Sequence, residues 1–349
     1  MVNKSENIIV GISIGDLNGI GPEVILKTFE DARMLEFCTP VIFGNVRTLS
    51  FIKKQLDLTL VLHGIDQLDQ IVPGKINVIN IWKEPVEITP GQMSPQVGQY
   101  AVKSFVAAVS ALNENKIDVL VTAPIHKYAV QSEEFSFPGH TEYLDRQLEG
   151  NALMLMIKDT LRVGLLTDHV PVNEVAQHLS AELIRTKIQT ISHTLVRDFS
   201  ITKPRIAVLG LNPHAGDGGV IGSEDRDIIA PVVRSMFEAG TLVFGPFPAD
   251  GFFGSGAYKK YDAVIASYHD QGLIPFKTLA FGGGVNFTAG LNRIRTSPDH
   301  GTAFDIAGKG VADHHSFKEA VYLALDIYHS RAQHSELTRS PLKVKEKPL

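Results

Sequence analysis

The chain has 349 residues, 44% of them hydrophobic and 20% charged, a balance that suits a folded globular protein and argues against extensive disorder. Its length exceeds what one hydrophobic core usually serves, so two domains are expected. A net charge of -5 gives no basic footprint for nucleic acid, no apolar run approaches the roughly 18 residues that cross a bilayer, and a single cysteine, Cys38, excludes an internal disulfide framework and any cysteine-based zinc site. A cytoplasmic enzyme or binding protein is the expectation.

The N-terminus, MVNKSENIIVGISIGD, reads as a first strand over residues 8–14 rather than a signal peptide, because its short apolar stretch runs into Gly-Asp instead of a small-residue cleavage site. Gly15-Asp16-Leu17-Asn18-Gly19-Ile20-Gly21-Pro22-Glu23 follows. It fits neither nucleotide fingerprint: GxGxxG fails in register and GxxxxGK[ST] has no lysine. Pro22 suits the first turn of a helix, so this is a tight strand-to-helix turn. Further strands are expected at 41–43, 78–81, 119–122, 163–166, 206–209, 242–244 and 263–267. Helices are expected at 21–30, 97–113, 140–148, 181–199, 225–239 and 317–334, the last with Phe317, Ala320, Val321, Ala324, Leu325 and Tyr328 on one face. This alternation is the pattern of an α/β protein with a largely parallel sheet, without internal repeats. Gly282-Gly283-Gly284 reads as a loop whose backbone approaches another group closely. The SPLKVKEKPL end reads as a disordered tail.

Three of the thirteen histidines follow expected strands: His169 in TDHVP, His214 in LNPHAG and His269 in YHDQG. Parallel strands deliver their C-terminal ends to one edge of a sheet, and ligands bind there. Three imidazoles on one rim match the composition of a catalytic site for Zn²⁺ or another first-row divalent ion, with Asp168 or Asp270 beside them to orient a ligand or add an oxygen. Three separately satisfied loop histidines would give the same pattern, and no HExxH spacing separates the two readings. His63, His178, His193, His329 and His334 read as structural or surface residues.

Two further clusters carry polar chemistry. His140 and Thr141 in FPGHTE stand at a helix start, where free N–H groups favour an anion; alternatively Thr141 is simply the helix cap. Lys277, Asn286, Arg293 and Arg295 surround the triple glycine and suit a small substrate bearing phosphate or carboxylate, or else form a solvated basic face.

Taken in order, IGDLNGIGPE, TAPIHK, FPGHTEY, LNPHAGDGG, YHDQGLIPFK and GGGVNFTAGLNRIRTSPDHGTAFDIAGKG resemble the 4-hydroxythreonine-4-phosphate dehydrogenases of the vitamin B6 pathway, over about residues 8–330. GIGPEV and HGTAFDIAGKG are also similar to motifs of the isocitrate and isopropylmalate dehydrogenases, whose dinucleotide site lacks the Rossmann fingerprint. The resemblance implies two α/β/α domains with a largely parallel sheet: residues 1–127 with 276–335 on the dinucleotide side, 128–275 on the metal and dimer side, and a disordered tail at 336–349. It implies oxidation of 4-phosphooxy-L-threonine at C3 by NAD or NADP, giving a β-keto acid that loses CO₂ to form 3-amino-2-oxopropyl phosphate. Carried over by position, the metal ligands fall on His169, His214 and His269, for one Zn, Mg or Co ion per subunit. Substrate contacts fall on His140, Thr141, Lys277, Asn286 and Arg295. Cofactor contacts fall on His300, Gly301, Asp305 and Ile306, with Asp305 as ribose ligand.

Lys277 is the expected proton-transfer group, because burial beside a metal would lower its pKa. A homodimer is implied, with His269 facing His169 and His214 across the interface. The chain departs from the family pattern at Asp168, where threonine is usual, and at His126, where asparagine is. These departures keep open a related substrate such as erythronate 4-phosphate. A silent metal- or phosphate-binding protein on the same scaffold is the non-enzymatic alternative.

Overall fold

The strands expected from their branched apolar residues are buried on both faces, as strands covered by helices on each side must be. The computed structural model describes residues 7–133 and 135–340. In chain order its strands are β1 (Ile8–Ser13), β2 (Cys38–Gly44), β3 (Leu62–Ile65), β4 (Ile76–Asn80), β5 (Val119–Thr122) and β6 (Gly150–Lys158). Then come β7 (Leu161–Leu165), β8 (Ile206–Leu209), β9 (Val243–Phe247), β10 (Ala263–Ala266), β11 (Val285–Leu291) and β12 (Arg295–Pro298). All join one sheet in the order β3-β4-β2-β1-β5-β12-β11-β6-β7-β10-β8-β9.

Two parallel blocks make up that sheet. The first runs from β3 to β12 and the second from β7 to β9, joined by antiparallel pairing of β12 with β11, β11 with β6, and β6 with β7. Three successive reversals turn the second block against the first. The sheet is largely parallel, as expected, and it continues unbroken across both proposed domain boundaries. β7, β10 and β8 are parallel neighbours, so the three loops carrying His169, His269 and His214 do leave one edge together.

The helices Gly21–Glu30 and Ala181–Phe199 match their expected spans. Pro22 occupies the first turn of the former. The helix expected at 225–239 opens as a π-turn, Asp225–Ile229, before the α-helix Ala230–Glu238. The last helix, His315–Thr338, buries Phe317, Ala320, Val321, Ala324 and Leu325 against the core, while Tyr328 is only partly buried. It also runs past 335, which corrects the start of the expected tail; residues 341–349 lie outside the described ones. His269–Ala280 is an unexpected helix, hidden in the sequence by Gly272 and Pro275.

Candidate active site

Arg295 opens β12 and lies 2% exposed over the seam between the two blocks. Its guanidinium donates to the Thr122 hydroxyl at 2.6 and 3.0 Å, to the Thr288 hydroxyl at 3.0 Å, and to His140 Nδ1 at 3.1 Å. These partners are neutral. A buried cation held only by hydroxyls and an imidazole has no carboxylate in contact, and Glu142 acts on it only from a distance. Burial accordingly pushes its pKa down to about 9. His140, packed edge-to-face against Phe105 with ring centroids 4.4 Å apart, is held well below the usual imidazole range by its own burial and then by the Arg295 cation. A cavity of about 230 Å³ opens beside this pair, and Thr141, Asn286, Ser297 and His300 also line it.

His169 reaches the far wall of the same cavity, where Glu142 lies 3.6 Å from its Nδ1. The His169 and His269 rings are neighbours, 5.7 Å apart. Side chains at the strand ends stitch their loops together. The Thr167 hydroxyl donates to the Ser267 carbonyl at 2.8 Å, the Ser267 hydroxyl to the Leu209 carbonyl at 3.1 Å, and the Gln271 amide to the Gly210 carbonyl at 2.6 Å. The third loop is bent differently. His214, Ala215 and Asp217 adopt left-handed backbone conformations, and the buried Asp225 carboxylate holds the loop by accepting from Leu211 N and Asn212 N. Such strain persists only where surrounding contacts fix it. Among the described residues, no three His, Cys, Asp or Glu side chains converge as a metal-binding group.

A protein-family model, pyridoxal phosphate biosynthetic protein PdxA, matches residues 36–324. The chain belongs to the PdxA family. It is 46% identical over 342 residues to 4-hydroxythreonine-4-phosphate dehydrogenase of Bacteroides thetaiotaomicron, covering 97% of this chain and 94% of that one. It is 38% identical over 329 residues to D-threonate 4-phosphate dehydrogenase of Cupriavidus necator, covering 93% and 98%. Among solved structures, 4-hydroxythreonine-4-phosphate dehydrogenase of Klebsiella pneumoniae superposes with a TM-score of 0.79 at 36% identity, covering 93% of this chain and 99% of that one.

For a PdxA protein, the expected substrate contacts His140, Thr141, Asn286 and Arg295 come together around one cavity. Lys277 does not line it. Its side chain is 55% exposed and its ammonium lies 3.4 Å from the Asp299 carboxylate, so the burial that was to tune it is absent. Arg293 is also elsewhere, bound to Asn115 and the Asn113 carbonyl. Thr141 is not a cap: Gly139 holds that position, without a side-chain bond. Of the expected cofactor residues, His300 and Gly301 line the same cavity, whereas Asp305 is exposed and Ile306 half-buried, both outside its lining. Gly284 does approach another group closely: a Cβ there would lie 2.8 Å from the Asp299 carboxylate.

Both departures from the family pattern have partners. Asp168 pairs with Lys187 at 3.6 Å, which offsets the added charge beside His169. His126 stacks on Phe304, with ring centroids 5.2 Å apart and planes within 6°. Thr122 and Glu142 were missed as single residues, although both stand in the quoted family segments. A hydroxyl at a strand end gives no signal until its arginine, 173 positions away, is placed beside it.

Proposed function

We propose that the chain oxidises 4-phosphooxy-L-threonine at C3, giving a 2-amino-3-oxo acid that loses CO₂ to form 3-amino-2-oxopropyl phosphate in vitamin B6 synthesis. Arg295 carries this reading. A buried guanidinium without a carboxylate in contact is completed by an anionic substrate, and the planar fork grips phosphate or carboxylate with paired hydrogen bonds. Asn286, whose side-chain oxygen is buried and unpaired, offers an amide to orient the same molecule. The relatives' names supply the choice of a 4-phosphorylated four-carbon acid.

NAD or NADP, held along residues 300–307, supplies the hydride acceptor. A divalent ion, Zn, Mg or Co, supplies Lewis acidity at the substrate oxygen, and His169, His214 and His269 are the residues that would hold it. The donor chemistry fits, but one chain brings only His169 and His269 together. A second copy completing the set, in a cytoplasmic homodimer, is consistent with the exposed apolar residues near these loops: Val172 at 77%, Val220 at 82% and Ile274 at 63%. The approach of the His169 and His269 rings within one chain offers a second arrangement beside the expected one, in which His269 faces His169 and His214 across the interface.

Reduced dinucleotide formation over a panel of 4-phosphorylated four-carbon acids, with and without chelator, tests the reading. Turnover of 4-phosphooxy-L-threonine that chelation abolishes and a divalent ion restores is expected. Preference for D-threonate 4-phosphate would move the chain to the activity named for the Cupriavidus relative. No turnover with any of the panel would overturn the proposal.

A further inference from the structure

Of the three histidines that line the cavity, His140 and His300 make hydrogen bonds that fix their protons in opposite places. His300 Nδ1 lies 3.1 Å from the carbonyl oxygen of Gly301. A carbonyl can only accept, so Nδ1 carries the hydrogen and Nε2 of the neutral ring carries the lone pair. His140 is the reverse. Its Nδ1 lies 3.1 Å from a guanidinium nitrogen of Arg295, which can only donate, so its hydrogen is on Nε2. Both Nε2 atoms are buried and have no protein partner. Leaving such an atom unpaired is costly, and the two orphans are complementary, one acceptor and one donor.

We propose that His300 is the proton acceptor for the substrate's C3 hydroxyl and that His140 is the neutral hydrogen-bond donor to the same oxygen. The assignment rests on the oxidation proposed above. In that step the O–H bond breaks and its proton passes to His300 Nε2. The electron pair left on oxygen forms the C=O bond as the C3 hydride passes to the nicotinamide, so the alcohol loses two electrons and two hydrogens. The surroundings suit this division of roles. Asp299, paired with Lys277 at 3.4 Å, places a carboxylate next to His300 in the chain. The Arg295 cation beside His140 opposes protonation and keeps it a donor. Across the cavity stand Lys127 and the Glu142–His169 pair, and Glu142 is already engaged.

Two measurements decide it. Nitrogen-15 histidine spectra of the substrate-free protein, assigned with His140→Gln and His300→Gln, read the tautomers without any turnover. The expected result is hydrogen on Nδ1 of His300 and on Nε2 of His140; hydrogen on Nε2 of His300 overturns the proposal. In turnover, His300→Ala is expected to lower kcat about 100-fold or more and to lose the acidic limb of the pH profile. Added imidazole should restore part of the rate, while substrate affinity from calorimetry stays within about threefold. An unchanged kcat, or a loss confined to dinucleotide affinity, places His300 with the cofactor and overturns the proposal. Wild-type protein that oxidises none of the panel defeats the functional reading instead, and the tautomer spectra still decide which ring can accept.

Discussion

At the scale of the residue, Arg295 sets the strongest constraint. Its charge is buried among Thr122, Thr288 and His140, so an incoming phosphate gains from geometry and from pairing a cation that has no carboxylate in contact. Lysine keeps the charge but not the fork. Arg295→Lys should therefore weaken binding of the phosphorylated acid by about 10- to 100-fold, the worth of one or two charged hydrogen bonds, and leave dinucleotide affinity unchanged in calorimetry. Equal weakening of both ligands would mean a structural role.

The depressed pKa adds a pH signature. Burial lowers the folded value to about 9, below the unfolded value, so above that point the unfolded chain binds more protons than the folded one. The ligand-free protein should then gain stability as pH rises through about 9. The stabilisation given by inorganic phosphate should fall over the same range, because the anion needs the charged guanidinium. Thermal unfolding with and without phosphate measures both, and Arg295→Met, which lacks the titrating group, should show neither trend.

Elements are where the sequence was most and least legible. Strands rich in valine and isoleucine were found within a few residues of their ends, because burial on both faces demands a continuous apolar run. The seam was not. β6 (GNALMLMIK) is built from leucine and methionine, which suit a helix as well, and β12 (RTSP) is polar. β12 is buried only because its polar groups find partners, as when the Thr296 hydroxyl donates to the Ala320 carbonyl at 2.7 Å. The rim of histidines was readable because parallel strands share an edge. The bend that carries His214 away was not, since left-handed conformations at His214 and Ala215 have no strong residue signal.

The helix Pro95–Asn113 illustrates how packing overrides propensity. Gly98 lies in its first turns, where alanine would ordinarily gain about 1 kcal/mol. A Cβ at that position would overlap the Ala129 carbonyl, which is backbone and cannot swing aside. Gly98→Ala is thus expected to destabilise the fold by about 1–3 kcal/mol, read by denaturant unfolding. A gain in stability would mean that the 124–130 loop yields.

For the whole molecule, the question is how three histidine loops on one edge make a site when one chain brings only two rings together. A second chain related by a two-fold axis answers it if its own loop, with exposed apolar neighbours such as Val220, supplies what the first lacks. Subunit exchange tests this directly. His214→Ala and His269→Ala chains, each inactive alone, are mixed and allowed to re-pair. If the two ligands of one site come from different chains, a mixed dimer holds one site with both mutations and one with neither. Random pairing makes half the dimers mixed, so activity should return to about a quarter of the wild-type level. Mixing His169→Ala with His269→Ala then reports which chain His269 serves. Because its ring lies beside His169 in the same chain, that mixture is expected to recover nothing, whereas a His269 that reaches across the interface would again restore about a quarter. A chain that sediments as a monomer while fully active would sink the two-chain site altogether.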